Sequence, residues 1–387
     1  MINLSGLSRG DEFPKIALVH DWLTGMRGGE KVLEALCELF PKADLFTLIH
    51  NPGSVSPLIE NRRIFTAFTD RLPFKARRYR YYLPLFPTAI ELFDFKGYDL
   101  ILSTSHCAAK GVRTPPDALH ISYLHTPMRY VWDMYEEYFG VDKIGAVQRA
   151  IIPLFANYLR MWDVASANRV DYFIANSRHV ANRIGKYYRR EAAVIHPPVD
   201  IASPRPGEAT GDYYLIVSAL VPYKRVQLAV EVFNRLGKPL RIIGSGPEER
   251  RLKKMAGETV HFLDWQPAEK LAGHYAGCRA LIFPGEEDFG IVPVEAQACG
   301  KPVIAFAKGG ALETVIGYDG SNEGACTGVF FREQGETALA EAVAVVESLR
   351  WDAAFIRSHA QKFGKERFSR EIRDFIEAKV QEFFAAK

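Results

Sequence analysis

Two facing, doubly wound α/β domains on parallel sheets, with a helical tail, are the fold this sequence predicts. Three observations predict it. Short apolar runs alternate with helical patterns along both halves, the way βα units and parallel sheets read. At 387 residues the chain is too long for one core and suits two large ones. Near its middle, His196-Pro197-Pro198-Val199-Asp200 leads into 201–210, a proline-, glycine- and charge-bearing stretch without periodicity. The expected organisation is a domain over 1–200, a second over 201–365, and a terminal helix over 366–387 that packs back on the first.

The elements follow in order. Strand candidates in the first half are 16–19, 46–49, 100–103, 121–124, 172–175 and 194–196. In the second half they are 214–218, 240–243, 260–263, 280–283, 303–305 and 328–331. Helical patterns fill the intervals: an aromatic one over 128–139, a long one over 145–168, then 178–188, 224–236, 247–255, 267–277, 291–299 and 366–386. Asn176 and Ser177 stand where a helix cap belongs, and Pro247 and Pro267 occupy first-turn positions. In such sheets ligands bind beyond the carboxyl ends of the strands, here in the cleft between the domains.

Composition excludes several classes. Apolar residues make up 48% and charged residues 25%, which is ordinary for a globular protein and rules out wholesale disorder. Forty-nine Lys and Arg against 46 Asp and Glu leave +3, too little to argue for nucleic acid. No apolar run approaches the ~18 residues of a membrane span, and the N-terminus does not read as a secretory signal. The five cysteines are odd in number, dispersed and without a Cys-x-x-Cys pair, which suits buried, reduced thiols in a cytoplasmic protein.

Five motifs carry chemistry. The strongest runs from Pro284 to Gly300: a strand end, an acidic glycine loop, then a helix. Backbone N–H groups of Phe289, Gly290 and Ile291 at the helix start would favour an anion. Glu287 and Glu295 are eight apart, and each carboxylate suits a pair of sugar hydroxyls. Glu286 and Asp288 read better as a solvated acidic run. Second, Val221-Pro222-Tyr223-Lys224-Arg225 puts two cations at a helix N-terminus, against the dipole, where an anion such as a leaving diphosphate would explain them. A solvated Lys-Arg pair is the plain alternative. Third, Gly28-Gly29 opens a helix after the first strand, as a phosphate or sugar approach or as an ordinary tight turn. Fourth, His125 ends a strand and faces the expected cleft, whereas the other histidines read as structural. Fifth, Gly244-Ser245-Gly246-Pro247 follows a strand and starts a helix. It imitates a dinucleotide fingerprint but has Glu249 where the third glycine belongs.

With these motifs in view, the chain resembles glycosyltransferase family 4, the retaining nucleotide-sugar enzymes of GT-B fold. The resemblance rests on Glu287–Glu295 with Ala296–Gly300, on Gly309-Gly310-Ala311-Leu312-Glu313, and on the Val221–Val226, Gly244–Pro247 and Gly28-Gly29 segments. The phrase His125–Asp133 and the Val-Pro-Tyr-Lys-Arg string resemble bacterial surface-polysaccharide mannosyltransferases that use GDP-mannose.

The resemblance implies roles. Lys224, with Arg225, would grip the donor diphosphate, and Glu295 would hold the ribose. Glu287 and the Phe289, Gly290 and Ile291 amides would contact the donor sugar or phosphate, with Gly246 among the substrate-binding positions. His125 would lie against the donor sugar, and Gly28 and Gly29 near the diphosphate from the first domain, the acceptor side. Ala219 departs from the family, in which an arginine is common at that place. The implied mechanism is front-face attack through an oxocarbenium-like sugar, with no cofactor beyond the nucleotide-sugar co-substrate. No Asp-x-Asp occurs, so no metal is expected and cationic side chains must stabilise the leaving group. The acceptor would be a glycan or a polyprenyl-diphosphate-linked sugar. Arg71, Lys75, Arg77, Arg78 and Arg80, interleaved with aromatics in a stretch without acids, suggest an anionic membrane surface at the inner face of the plasma membrane. A solvated basic face over buried aromatics is the alternative. Competing functions are a GT-B-like epimerase or phosphorylase, and a non-catalytic sugar-nucleotide or NAD-binding module.

Overall fold

A computed structural model describes residues 14–136, 145–201 and 211–385. The chain forms two units: one runs to Pro198 and takes in the chain from Lys365 onward, the other is Val199–Gly364.

The N-terminal unit has seven parallel strands: β1 (Ile16–His20), β2 (Asp44–Thr47), β3 (Ile64–Thr66), β4 (Leu100–Ser105), β5 (Leu119–Leu124), β6 (Tyr172–Ala175) and β7 (Ala192–Val194). Their order in the sheet is β3-β2-β1-β4-β5-β6-β7. The strands alternate their side chains between two buried layers. In β1, Leu18 enters one apolar cluster while Ala17 and Val19 enter the other. A sheet apolar on both faces must be covered on both, so helices lie on either side. The helix Lys365–Ala385 covers the first face with a stripe spaced by four, Phe368, Ile372, Ile376 and Val380, packed in one cluster with Leu33, Leu36 and Cys37. Lys365 pairs with Glu38, and Arg367 donates to the His196 carbonyl, tying the returning helix down.

The C-terminal unit has six parallel strands: β8 (Tyr214–Val217), β9 (Leu240–Ile243), β10 (Val260–Phe262), β11 (Ala280–Phe283), β12 (Val303–Phe306) and β13 (Gly328–Phe331). Their order is β10-β9-β8-β11-β12-β13, and the same alternation holds: Tyr214 and Ile216 face one cluster, Leu215 the other. Both orders are those of a doubly wound, Rossmann-like sheet, reversing once beside the first strand of the unit.

Four expectations need adjusting; the strand expected over 194–196 lies at Ala192–Val194. β3 lies where no strand was expected. The apolar run 46–49 starts its strand at Asp44 and leaves Leu48 and Ile49 buried beyond its end. The aromatic pattern expected over 128–139 is turn at 129–134, where Val131 N–H bonds Met128 O and Met134 N–H bonds Arg129 O, and helical at 135–136; 137–139 lie outside the described residues. Trp132 and Asp133 are claimed by other elements, the indole by Asp163 and the carboxylate by Arg183 and Tyr187, so tertiary bonds override the local pattern. All five cysteines are free and buried. No described helix is long and apolar enough to cross a membrane.

Candidate functional site

In the C-terminal unit the strand order reverses between β8 and β11, and the two strongest motifs leave the carboxyl ends of those two strands. Lys224 closes a single 3-10 turn, Pro222–Lys224, and Arg225 takes a left-handed conformation (φ 52°, ψ 30°) before the helix Val226–Leu236. That reversal sends the adjacent cations apart: Arg225 is exposed, whereas Lys224 is largely covered and its Nζ forms an ion pair with Glu287 Oε1. Gly285 permits the approach of the loops. A Cβ there would lie 2.8 Å from Lys224 Cα and 2.9 Å from the Tyr223 carbonyl, which no side chain tolerates without backbone movement.

Neighbouring loops are fastened to this pair. Gly310 N–H donates to the Glu287 carbonyl at 2.8 Å, setting the Gly309–Glu313 motif against the acidic loop. On the other side Leu220 N–H donates to Ser245 O at 2.9 Å, and a Cβ on Gly246 would lie 2.3 Å from Leu220 O. Ala219 is exposed on the same loop. The segments 218–225, 244–248, 284–291 and 309–313 therefore meet at one end of the sheet.

The helix Ile291–Ala298 begins at Gly290, whose φ of 90° is left-handed, and carries Glu295 one turn in. Glu295 Oε2 accepts a hydrogen bond from the buried Tyr275 hydroxyl at 2.8 Å. Burial, and then the Glu295 carboxylate, push the Tyr275 phenol well above its ordinary pKa, so it remains a donor. Phe289 buries its ring edge-on to Phe363, 5.7 Å between centroids, which leaves its backbone as the part able to meet a ligand. Of the acids read as a solvated run, Glu286 pairs with Lys308 at 2.9 Å, but Asp288 is only 8% exposed and does not belong to a solvated face.

In the N-terminal unit the order reverses between β1 and β4. Gly28 and Gly29 open the helix Gly28–Leu39, with Arg27 N–H bonded to Glu30 Oε2 at 3.1 Å. A Cβ on Gly29 would sit 3.5 Å from both His125 Nε2 and His20 Cε1, so the two imidazoles face the turn. His125 is anchored through its backbone: its N–H donates to Ser105 O at 2.8 Å and its carbonyl accepts from Asn176 Nδ2 at 3.0 Å. Burial, reinforced by His106 and His20, holds its imidazole well below the ordinary histidine range, and the ring is neutral at neutral pH.

The residues singled out in the sequence thus fall into two groups, one in each unit: Gly28, Gly29 and His125, and Lys224, Arg225, Gly246, Glu287, Phe289–Ile291 and Glu295. Sequence reasoning missed Tyr275, whose helix gave no sign that it faces Glu295. It also missed Asp21. This carboxylate is fully buried and accepts backbone N–H bonds from His106 (2.6 Å), Cys107 (2.9 Å), Ala108 (2.6 Å) and Ala109 (2.7 Å), fixing the loop after β4 to the end of β1. A few residues on, Lys110 is fully buried, with Nζ 3.1 Å from Asp163 Oδ1 and bonded to Ser166 Oγ at 2.6 Å.

The basic segment is partly as expected. Arg71, Arg78 and Arg80 are exposed, as are Phe74 and Tyr81, while the Arg77 side chain lies outside the described residues. Lys75 is corrected: its ammonium binds Asp70 Oδ1 at 2.6 Å and the His50 carbonyl at 2.9 Å, so its charge is already compensated.

Comparison with known proteins follows the division into units. Residues 26–203 match the model of Glycosyltransferase Family 4, and residues 202–367 match that of Glycosyl transferases group 1. A GDP-mannose-dependent alpha-(1-6)-phosphatidylinositol monomannoside mannosyltransferase of Mycolicibacterium smegmatis is 32% identical over 181 residues, 38% of this chain and 47% of that protein. A D-inositol 3-phosphate glycosyltransferase of Geodermatophilus obscurus is 29% identical over 261 residues, 58% of this chain and 55% of its own length. The chain spans about half the length of the curated relatives it matches. Among solved structures, sucrose-phosphate synthase from Thermosynechococcus elongatus superposes with a TM-score of 0.70 at 20% identity, covering 97% of this chain and all of that one. Anabaena HepE in complex with UDP and glucose gives 0.67 at 18% identity, covering 94% and 99%. With glycosyltransferase models abutting across 26–367, and a fold shared along nearly the whole path, the chain belongs to glycosyltransferase family 4, of GT-B fold.

Proposed function

We propose that this protein is a retaining glycosyltransferase that moves a hexose, mannose from GDP-mannose, to a glycan or a lipid-linked oligosaccharide. The observation that carries the reading is the meeting of Lys224 and Glu287 at the strand-order reversal of a unit matching a glycosyltransferase model. The donor sugar is chosen because one relative is named as GDP-mannose-dependent, and because the His125–Asp133 and Val221–Arg225 phrases resemble mannosyltransferases. A UDP complex among the structural neighbours supports a nucleotide-sugar donor in general.

In this reading Lys224 turns from Glu287 to the donor diphosphate, with Arg225 beside it, and Glu287 then lies by the sugar as positive charge develops. Glu295, steadied by Tyr275, takes the ribose hydroxyls. Gly246 and the Phe289, Gly290 and Ile291 backbone complete the donor contacts of the C-terminal unit, and Gly28, Gly29 and His125 are the substrate-contacting residues proposed for the N-terminal unit. The bond from the anomeric carbon to the diphosphate oxygen breaks as the acceptor oxygen bonds to the same face. The acceptor proton passes to the departing diphosphate. No protein nucleophile, metal or cofactor enters, and catalysis is positioning and charge stabilisation.

A lipid-linked acceptor would bring the enzyme to an anionic membrane surface. Exposed Arg71, Arg78 and Arg80 beside exposed Phe74 and Tyr81 support that contact. So does the helix Ala146–Ala167, which exposes Ile151, Leu154, Phe155, Tyr158 and Met161 and carries no acid before Asp163. The test is nucleoside diphosphate release from a panel of GDP- and UDP-sugars, ranked first by thermal shift, in excess EDTA. Release that requires the acceptor and survives chelation supports the reading. Strict dependence on Mg²⁺ or Mn²⁺, or donor turnover to an epimer, contradicts it.

A further inference from the structure

We infer that His106 is an acceptor-binding residue, its Nε2 accepting a hydrogen bond from a sugar hydroxyl while Asp21 fixes the ring. The inference rests on the transfer reading above and adds a group which that reading leaves as structural.

His106 follows the carboxyl end of β4 and Asp21 that of β1, the two strands between which the sheet order reverses. Asp21 cannot move: it is fully buried and holds four backbone N–H groups of the loop that carries His106. Its Oδ2 stands 3.1 Å from His106 Nδ1. A carboxylate there favours the proton on Nδ1 and leaves the Nε2 lone pair for another partner. Trp22 meets the ring edge-on at 4.4 Å between centroids, a second constraint on its orientation. The His106 side chain is nonetheless 28% exposed, and with Nδ1 turned to buried Asp21, Nε2 is the ring nitrogen left for a ligand.

The chemistry of the wall selects the ligand. His106 lies 6.1 Å from His20 and 6.2 Å from His125, and both His20 and His125 border Gly29. Burial lowers the His106 pKa despite the pull of Asp21 and Glu30, with His20 and Arg27 acting in the same direction as burial. A neutral imidazole with a free lone pair repels phosphate oxygens and accepts from hydroxyls. This face of the N-terminal unit therefore suits the hydroxyls of a sugar, in contrast to the cationic Lys224–Arg225 turn.

The test uses the full chain labelled with ¹⁵N-histidine, the His106 signals being assigned by their loss in His106→Gln. At pH 7 we expect a neutral ring protonated on Nδ1, and an Nε2 resonance that moves on titration with methyl α-D-mannopyranoside. An imidazolium, an Nε2-protonated ring, or an Nε2 signal indifferent to the glycoside overturns the inference. Kinetically, His106→Ala should lower transfer to the acceptor about ten- to a hundredfold, the usual scale for one lost hydrogen bond to a substrate hydroxyl, and His106→Gln should recover part of it. Both variants should melt as the parent does and keep its thermal shift with nucleoside diphosphate. Equal transfer by all three proteins also overturns the role of His106, whereas absence of donor turnover by the parent chain overturns the transfer reading itself.

Discussion

Glu295 is presented by a partner rather than by its helix alone, since the Tyr275 hydroxyl holds Oε2 at 2.8 Å. Glu295→Ala should therefore raise the donor KM about tenfold or more with a smaller loss in kcat, because the ribose is remote from the reacting carbon. Tyr275→Phe should show a weaker effect of the same kind, and steady-state kinetics with a varied donor measure both. The histidines make a separate prediction. His120 is fully buried, and burial pushes its pKa down to about 4, opposed by the Arg169 carbonyl, while His106 and His125 are also lowered. In the unfolded chain each titrates near 6.5, so below that pH the unfolded state binds more protons than the fold. Stability is complete above about pH 6.5 and falls as pH drops toward 4, His120 alone contributing about 1.4 kcal/mol of loss by pH 5.5. Urea midpoints at pH 7.5 and 5.5 check it, and equal midpoints would count against neutral burial.

Loops carry the site, and their spacing depends on what a residue lacks. Gly285→Ala places a methyl 2.8 Å from Lys224 Cα, so the two loops must part. The outcome expected is a fold that persists with donor turnover reduced at least tenfold, read by melting and nucleoside diphosphate release. The segment 68–86 is a run of short helical turns, and its exposed Arg78 and Arg80 lie between the exposed Phe74 and Tyr81. The chain should sediment with anionic liposomes at low salt and come off as salt rises, since the attraction is screened over about 10 Å at 0.1 M. Replacing Arg77, Arg78 and Arg80 by Ser should weaken it, and unchanged sedimentation would contradict the membrane contact. Elements were legible where burial on both faces left a continuous apolar run, as at β8, β11 and β12. β3 was not, because a three-residue edge strand needs no such run, and none of its residues is fully buried. Residues 129–134 form turns where helix was expected, because Trp132 and Asp133 answer to Asp163, Arg183 and Tyr187 instead of to helical neighbours.

Across the molecule, two Rossmann-like units each bring candidate residues to loops beside the reversal of strand order, a property of topology that local spacing announces well. The motifs at Lys224, Glu287 and Gly309-Gly310 were legible because each is contiguous and follows a strand. Asp21 with His106, and Lys110 with Asp163, were not, since the partners lie 85 and 53 residues apart and nothing local marks a buried charge. In the proposed reaction the Lys224–Glu287 pair stabilises a departing nucleoside diphosphate and the sugar it leaves behind. The most direct measurement is kcat and kcat/KM for donor turnover by Lys224→Ala and Glu287→Gln, alongside the parent chain and with melting temperatures recorded. We expect unchanged melting, a kcat lowered about 10²–10³-fold for Lys224→Ala, and a defect mainly in kcat for Glu287→Gln. Near-normal kcat and kcat/KM in both variants would contradict the assigned site whatever the fold.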